Sequence, residues 1–313
     1  MSVRPAAPET DFPGIAAVVN TFESEPISVE TVHQWFTQTA PGRLAHRRVA
    51  VNDQDQVVGY SVSVHETWSP PGRFYVWVGV LPAWRRQGYG TALYADVLAF
   101  LRAHGATDLT SEALDNAPAD LAFAQARGFV TDRHLFESTL DLAAFDATPY
   151  QSVIPTLQAA GFRFFSLADC PNTAEFRRRA YAVNHATDQD IPGWAGHSPS
   201  FEEFEQWVYG ADWYRPEGQL LVADGDTWAG LAAVRLHPQT QGAYNLHTGV
   251  LRAYRGRRLG LGLKLAAIHY AQAHGARYLR TNNDSLNAPV LALNQRLGYR
   301  PEPGKYSLRA RLA

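Results

Sequence analysis

The sequence predicts an α/β protein of the α+β kind, with two tandem domains that are each a mixed, mostly antiparallel sheet flanked by helices. Its 313 residues exceed the usual size of one domain. The stretch "VLPAWRRQGYGTALYADVLAFLRAHGA" at 80–106 has a partner in "VLRAYRGRRLGLGLKLAAIHYAQAHGA", about 170 residues later. The same order of elements surrounds both stretches. We therefore expect a first domain over residues 1–145 and a second over 146–313.

The first copy opens with helices and continues into a sheet. Helices are predicted where apolar residues recur at helical spacing, at 12–22, 28–36, 88–104 and 118–128. Strands are predicted at short segments rich in β-branched and aromatic residues, at 47–51, 57–66, 74–82, 108–114 and 133–142. The first three strands are joined by short turns, which indicates an antiparallel meander.

The second copy repeats this order after a connector that ends near Pro149. Its predicted helices cover 151–162, 175–185, 201–208, 260–274 and 288–298. Ser200 and Glu203 have the spacing of a capping box at the start of the third of these helices. Its predicted strands cover 219–225, 228–236, 244–251, 278–284 and 306–312.

Composition limits the kind of protein that the chain can be. A net charge of −2 gives no general attraction to nucleic acid or to an anionic membrane. The single cysteine, Cys170, cannot form an internal disulfide. No apolar run reaches the ~20 residues of a membrane span, and the start "MSVRPAAPETDF" lacks a signal-peptide core. These features predict a cytoplasmic protein without nucleic-acid or membrane partners, and they leave the oligomeric state open.

The segment "WRRQGYGTAL" at 84–93 places glycines and arginines between a strand and a helix. Unpaired N–H groups and the positive end of the helix dipole meet at such a point, which favours an anion. Neither copy has the GxxxxGK[ST] pattern of a phosphate-binding P-loop. A dinucleotide loop would follow the first strand of a parallel unit instead of a meander. A solvated turn with a helix-start glycine is the remaining alternative, and the repetition of the loop weighs against it.

These residues resemble a known family. "VLPAWRRQGYG" resembles the acyl-CoA-binding motif R/Q-x-x-G-x-G/A of the GNAT family of N-acyltransferases, with Arg85, Gly88 and Gly90 in the defining places. "FAQARGF" and "LNQRLGY" resemble the later family helix that ends in a glycine and an aromatic residue. The resemblance covers nearly the whole chain as two copies. It implies acetyl-CoA as the co-substrate, with its pyrophosphate on the loop N–H groups and its pantetheine arm along the strand at Val80 or Val250.

The cofactor-binding residues that this resemblance implies are Val80, Arg85, Arg86, Gln87, Gly88, Gly90, Thr91, Val250, Arg255, Arg257, Arg258, Gly260, Asn283 and Asn287. The second loop departs from the motif, because Arg258 stands where the first motif glycine is expected. A shifted frame would align Arg257, Gly260 and Gly262, but it breaks the repeat, and we prefer the unshifted one. The asparagines Asn283 and Asn287 also fit turn and capping roles.

Acyl transfer to an amine needs a base for the amine and a proton for the leaving thiolate. Many members of the family take that proton from a tyrosine, whose place is held here by Ala124 and Asn294. His247, on the strand before the second loop, is the candidate base, and Trp77 is its counterpart in the first copy. We therefore predict catalytic roles for His247 and Asn294, although a half-buried strand histidine explains His247 equally well.

Three further groups of residues bear on the reaction. Glu66 and Glu112 are carboxylates on first-copy strands that could face a cleft. The segment "NHATDQDIPGWAGHSPS" at 184–200 has the composition of a lid, in which Asp188, Asp190 and Trp194 could receive a cationic amine. The eleven histidines form no HxxxH pair and no GxSxG turn occurs, so no metal site and no hydrolase nucleophile is predicted.

The function that these features predict is N-acyl transfer, most simply of an acetyl group, from acetyl-CoA to the amine of a small molecule. Two other classes of protein compete with this hypothesis. A non-catalytic coenzyme A-binding or sensing protein would explain the missing tyrosines. A structural scaffold would treat one copy as a degenerate packing partner.

Overall fold

The computed structural model describes residues 2–23, 26–37, 40–194 and 198–312. It divides into two compact units: unit 1 comprises residues 1–133 and 305–313, and unit 2 comprises residues 134–304. Residues 195–197 of the predicted lid lie outside the described residues. Each unit is a mixed sheet covered by helices, so the predicted fold class is confirmed.

The first elements along the chain follow the order that the sequence predicts, except for the additional strand β1. They are β1 (Ser2–Pro5), α1 (Phe12–Val19), α2 (Val29–Thr37), β2 (Leu44–Val51), β3 (Val57–His65), β4 (Arg73–Val80), α3 (Tyr89–Ala103), β5 (Asp108–Leu114), α4 (Pro118–Gln125) and β6 (Val130–Asp141). The elements that follow are α5 (Val153–Ala159), β7 (Phe162–Ser166), α6 (Ala174–Asp188), α7 (Phe201–Phe204), β8 (Gln219–Asp224), β9 (Thr227–His237), β10 (Gly242–Val250), α8 (Leu259–Ala273), β11 (Tyr278–Asp284), α9 (Ala288–Leu297) and β12 (Arg300–Arg311).

Two short strands, β1 and β7, were not expected from the sequence. Strand β1 is four residues long and ends in Pro5, so it has too little alternation for a strand prediction. It pairs antiparallel with β2 at the edge of the unit 1 sheet. The predicted capping box of Ser200 and Glu203 is present at the start of α7, which continues as a π-helical turn over Glu205–Tyr209.

The sheet of unit 1 opens between β4 and β5. Strands β1 to β4 pair antiparallel, and β4 then pairs parallel with β5. This parallel pairing runs from Arg73 and Asp108 only as far as Tyr75 and Thr110, although β4 continues to Val80. The two strands therefore separate toward their carboxyl ends, just before the glycine loop.

The sheet of unit 2 opens at the corresponding place. Strands β7 to β10 pair antiparallel, and β10 pairs parallel with β11 from Gly242 and Tyr278 to Asn245 and Thr281. A β-bulge between Asn245 and His247 interrupts β10 where this pairing stops. Bulges bend a strand and change the direction of its side chains.

Each sheet is completed by a strand segment from the other half of the sequence. In unit 1, residues 305–311 of β12 pair antiparallel with β5. In unit 2, residues 135–141 of β6 pair antiparallel with β11. The boundary between residues 145 and 146 that the sequence repeat predicts stays a prediction. The compact units divide the chain at other places, after residue 133 and after residue 304. Alternating apolar residues indicate a strand without specifying its partner, so the sequence could not reveal this exchange.

Helices cover both faces of the unit 1 sheet. On one face, α1 buries Ile15 and Val18 against Trp77 and Tyr60, and α2 packs beside α1. On the other face, Val97 and Leu101 of α3 pack against Phe74 and Val76. In unit 2, α8 buries most of its length against the sheet, and α6 packs on β9 and β10. The opening between β4 and β5 thus lies in a rigid, two-sided frame.

Candidate functional site

The two glycine loops have the same backbone conformation although their glycines differ. In the first loop, the left-handed positions are Arg86, with φ of 65°, and Gly88, with φ of 91°. In the second loop they are Gly256, with φ of 77°, and Arg258, with φ of 64°. Each loop therefore has one glycine and one arginine in left-handed conformation, in exchanged positions. Helices α3 and α8 then begin at equivalent residues, as the unshifted frame requires.

The loops present unpaired N–H groups at the helix starts. The first backbone hydrogen bond of α3 runs from Ala92 N–H to the Gly88 carbonyl, and that of α8 from Gly262 N–H to the Arg258 carbonyl. Among the described residues, the N–H groups of Tyr89, Gly90 and Thr91 have no acceptor. Such donors, aligned with the helix dipole, suit a phosphate.

The first motif arginine of each loop fixes the loop to the preceding strand. Arg85 Nε donates to the Val80 carbonyl at 3.0 Å, and Arg255 Nε donates to the Val250 carbonyl at 3.0 Å. Arg85 also lies 3.5 Å from a carboxylate oxygen of Asp120. Arg85 and Arg255 therefore hold the conformation of their own loops, and Arg86 is an exposed cation of the first loop.

A cavity of about 540 Å³, the first cavity, lies where β4 and β5 separate. Its walls come from β4, β5, α3, α4 and the glycine loop. The predicted cofactor-binding residues that line it are Val80, Arg85, Arg86, Gly88, Gly90 and Thr91. Gln87 is not in the wall, and its amide donates to the Ala83 carbonyl at 3.1 Å.

The packing of the protein around Gly90 does not itself require glycine at this position. A Cβ built on Gly90 would lie 3.5 Å from the Phe123 ring and 3.7 Å from Val80, which is ordinary contact. The nearest atoms to a Cβ on Gly260 lie at 4.0 Å. Neither glycine has positive φ. The fold therefore tolerates alanine at both places, and a ligand against the helix start gives the physical reason for glycine.

Tyr94 is a site residue that the sequence did not predict. It lies on α3 and lines the first cavity, as does Ala124, which holds the place of the usual tyrosine. Burial raises the pKa of the Tyr94 phenol, and the Arg127 guanidinium lies 5.2 Å from its ring centroid. In the sequence Tyr94 is one apolar position of an amphipathic helix, so its periodicity indicates only core packing.

The two carboxylates predicted for the first copy have different positions. Glu66 accepts two hydrogen bonds from Arg43, at 2.8 and 3.0 Å, and does not line the first cavity. Glu112 lines the first cavity and accepts a hydrogen bond from Lys305 Nζ at 2.6 Å. Glu112 is therefore the carboxylate that unit 1 brings to the open end of the sheet.

In unit 2, His247 is enclosed by the end of α6. Its Nε2 lies 2.8 Å from Thr187 Oγ1, and its Nδ1 lies 3.4 Å from Asp188 Oδ1. The Thr187 hydroxyl already donates to helix carbonyls, so His247 Nε2–H donates to it and Nδ1 faces Asp188. Burial, with Lys264 nearby, lowers the pKa of His247 to about 4. Burial raises the pKa of Asp188 to about 6, which makes this carboxylate the stronger base of the pair.

Asn283 and Asn294 belong to one buried network in unit 2. Asn294 Nδ2 donates to Asn283 Oδ1 at 2.7 Å, and Asn283 Nδ2 donates to Ser138 Oγ at 2.8 Å. Asn294 Oδ1 and the Tyr299 hydroxyl are buried without a hydrogen-bond partner among the described residues. Lys264 lies beside them, with its Nζ 3.4 Å from Thr281 Oγ1 and 5.2 Å from the Tyr299 ring centroid.

The residues predicted for the lid and the second loop have mixed roles. The Asp190 carboxylate accepts hydrogen bonds from Arg252 and Arg255, so it anchors the end of α6 to the loop. Trp194 Nε1 donates to Ser198 Oγ at 3.2 Å. Asn287 caps α9 by accepting a hydrogen bond from Val290 N–H at 3.4 Å, which is the capping role that its sequence context also predicts. The Arg257 guanidinium lies 5.4 Å from the Tyr254 ring centroid, and Val250 packs on the core.

Within residues 2–23, 26–37, 40–194 and 198–312, no three His, Cys, Asp or Glu side chains are grouped as a metal would require. No helix in these same ranges has the length and hydropathy to cross a bilayer.

In both units a sheet opens before a glycine loop at a helix start, which is the arrangement expected of an acyltransferase. Residues 13–129 and 181–299 both match the Acetyltransferase (GNAT) family. The chain belongs to this family and is an N-acyltransferase with two tandem copies of the family fold.

Curated relatives and solved structures extend the comparison over most of the chain. A protein named Mycothiol acetyltransferase from Corynebacterium glutamicum is 29% identical over 265 residues, covering 83% of this chain and 80% of the relative. One of the same name from Rhodococcus jostii is 26% identical, covering 88% and 85%. A solved tandem GNAT protein from the clavulanic acid biosynthesis pathway matches with TM-score 0.75 and 22% identity, covering 99% and 98%. A GCN5-related N-acetyltransferase from Sphaerobacter thermophilus matches with TM-score 0.73 and 19% identity, covering 99% and 95%.

Proposed function

We propose that this chain transfers an acetyl group from acetyl-CoA to the amine of a small molecule, and that unit 1 binds the donor. The first cavity carries the proposal. It joins the unpaired N–H groups of the α3 start to the gap between β4 and β5 in one continuous space. Acetyl-CoA supplies the acetyl group as a thioester when it is bound there.

The residues of unit 1 fit this donor. The N–H groups of Gly90 and Thr91 would receive phosphate oxygens, and Arg86 would add charge. The edge of β4 at Val80, which has no partner strand on the β5 side beyond Tyr75, would pair with the amides of the pantetheine arm.

Proton transfer in unit 1 is assigned to two residues of the first cavity. The amine loses one proton as the new N–C bond forms, and the thiol gains one as the C–S bond breaks. Glu112 would accept the first, since it lines the cavity from β5, whereas the other carboxylate of the wall, Asp120 of α4, lies 3.5 Å from the Arg85 guanidinium of the glycine loop. Tyr94 would donate the second proton to the leaving thiolate, since its hydroxyl is the titratable proton donor that α3 places in the first cavity.

The prediction that His247 and Asn294 are catalytic concerns the same reaction in unit 2. Their buried hydrogen bonds and the lowered pKa of His247 argue against direct proton transfer by either side chain near neutral pH. Asp188, with its pKa raised to about 6, would take the base role if unit 2 performs the chemistry.

A small-molecule acceptor is supported by the relatives named Mycothiol acetyltransferase, which match more than four fifths of this chain. The described residues offer a second cavity of about 250 Å³ whose volume suits such a molecule.

The test compares Gly90→Ala with the matched variant Gly260→Ala by calorimetry with coenzyme A. Alanine fits at both places without a clash, so both proteins should fold and melt at or slightly above the parent temperature. We expect Gly90→Ala to weaken binding by about tenfold to a hundredfold, because its methyl group displaces a phosphate from charge-assisted hydrogen bonds.

Unchanged binding in Gly90→Ala together with lost binding in Gly260→Ala would move the donor to unit 2. Absence of binding in the parent protein at millimolar coenzyme A would refute the proposed function itself.

A further inference from the structure

The second cavity lies on the face of the unit 1 sheet that α1 and α2 cover. Strands β2, β3 and β4 and the segment after α1 form its walls. It shares Phe22 and Trp77 with the first cavity, so these two rings stand between the two spaces. The Trp77 ring lies back over Gly79, where a Cβ would come within 2.2 Å of it. A molecule in the second cavity would therefore lie one aromatic side chain away from the first.

The walls of the second cavity are mostly aromatic and aliphatic. The aromatic residues are Phe22, Trp35, Tyr60, Tyr75 and Trp77. Such surfaces bind apolar groups and leave orientation to a few polar side chains. The charged residues among the lining are Glu23, Arg43 and Arg47.

Arg47 lies on β2, at the end of the second cavity that is farther from the first cavity. It pairs with Val62 of β3, and Val62 pairs with Trp77 of β4. Trp77 also lines the first cavity, and Tyr75 lies two residues before it on the same face of β4. The Tyr75 end of the second cavity is therefore the end that adjoins the first cavity.

Among the described residues, Arg47 is the cation of this cavity that forms no ion pair, although the Glu66 carboxylate, which is bound to Arg43, partly offsets the effect of burial on its pKa. Its Nη2 donates to the Trp35 carbonyl at 2.7 Å, and its guanidinium lies 4.7 Å from the Phe36 ring centroid. Arg43, in contrast, is bound twice by Glu66. Burial lowers the pKa of Arg47, which reflects the cost of a guanidinium held away from water. An anion bound beside it would remove this cost.

We propose that the second cavity is the acceptor pocket, and that it takes a small amine that also carries a carboxylate. The carboxylate pairs with the Arg47 guanidinium, and the amine lies at the Tyr75 end, next to the first cavity. An amino acid with an apolar or aromatic side chain has this chemistry. The inference rests on the proposed function, because the amine must reach the donor in unit 1.

The test compares amino acids with their carboxamides as acetyl acceptors, using thiol release from acetyl-CoA. L-Phenylalanine and L-phenylalaninamide are the first pair, since they differ only in the carboxyl group. We expect the parent protein to favour the amino acid in kcat/KM. Arg47→Gln should raise KM for the amino acid by about tenfold or more, because it removes a charge-assisted pair, and leave KM for the amide unchanged.

Two variants control for charge and for folding. Arg48→Gln removes a cation from the same strand, but Arg48 pairs with Asp96 and does not line the second cavity. The kcat and KM values for both acceptors should therefore stay as in the parent protein. Arg47→Lys keeps the charge and should restore part of the preference. If Arg47→Gln fails to fold, the ratio between amino acid and amide in the parent protein decides the question.

Equal kcat/KM for amino acids and amides in the parent protein would overturn this inference and leave the proposed function standing. Absence of thiol release with every amine, although coenzyme A binds, would refute the proposed function and this inference with it.

Discussion

Lys264 offers a test of how unit 2 differs from unit 1. Its side chain is 2% exposed, and its ammonium has one hydrogen bond, at 3.4 Å, to Thr281. Burial lowers the pKa of Lys264 to about 7 from its ordinary 10.5. The folded protein therefore disfavours the charged form of Lys264, which lowers the free energy of unfolding. This cost is fully present at pH values below 7, where both the folded and the unfolded chain carry the proton.

The magnitude follows from the two pKa values. One pKa unit corresponds to 1.36 kcal/mol, so the cost below pH 7 is about 5 kcal/mol as an upper value. It decreases as the pH rises from 7 toward 10.5, because the folded chain then loses its proton before the unfolded chain does. Lys264→Met keeps the length and helix propensity of the side chain and removes the charge. It also removes the bond to Thr281, about 1 kcal/mol, so we expect a net gain of at most about 4 kcal/mol at pH 6.

The assay is urea unfolding followed by tryptophan fluorescence at pH 6 and pH 9.5. The difference between variant and parent cancels the titration of the groups that Lys264 does not influence, and His247, which it does influence, has a pKa of about 4, below both assay pH values. Lys305→Met, at the only other lysine of the chain, is the control, and we expect no comparable gain from this half-exposed residue. A Lys264→Met protein that is no more stable than the parent at pH 6, or whose advantage persists unchanged at pH 9.5, would refute the reasoning.

Two further predictions concern catalysis. Tyr94→Phe should lower kcat by about tenfold to a hundredfold with unchanged coenzyme A affinity, because it removes only the hydroxyl group of the side chain. Steady-state rates check this, with Tyr89→Phe on the same helix as the control. Equal rates in the two variants would contradict the assignment. The predicted catalytic role of His247 and Asn294 requires that His247→Ala and Asn294→Ala lose turnover while their melting temperatures stay near that of the parent. Parent-like turnover in both would leave the reaction to unit 1.

The sequence predicted the order of elements and the frame of the repeat because both depend on local patterns. Strand β5 and strand β11 were predicted with their observed bounds. The unshifted frame also holds, although the second loop has Arg258 in place of the expected glycine. A repeat over a long helix constrains the alignment more strongly than one glycine does, and Arg258 adopts the left-handed conformation itself, while the glycine of this loop occupies the other left-handed position, Gly256.

Residues whose roles depend on tertiary neighbours were less predictable. His247 has the residue type of a base, but Thr187 and Asp188 at the end of α6 decide its pKa. Arg47 stands between His46 and Arg48 in the polar part of β2, so its sequence context gives no sign of a cavity. In both cases the deciding groups come from elements distant in the chain.

The two copies keep one backbone and differ in what fills the opening of the sheet. In unit 1 the positions around the opening hold Tyr94, Ala124 and Phe129, and a cavity of about 540 Å³ remains between them. The equivalent positions of unit 2 hold Lys264, Asn294 and Tyr299, which are buried and include two polar atoms without a partner among the described residues. Buried polar groups of this kind are costly and persist where water or a ligand completes them. Because the same loop conformation precedes both openings, we expect any difference in coenzyme A binding between the units to come from these side chains. Exchanging them in pairs, beginning with Lys264→Tyr, should therefore change coenzyme A binding in unit 2 without altering its glycine loop.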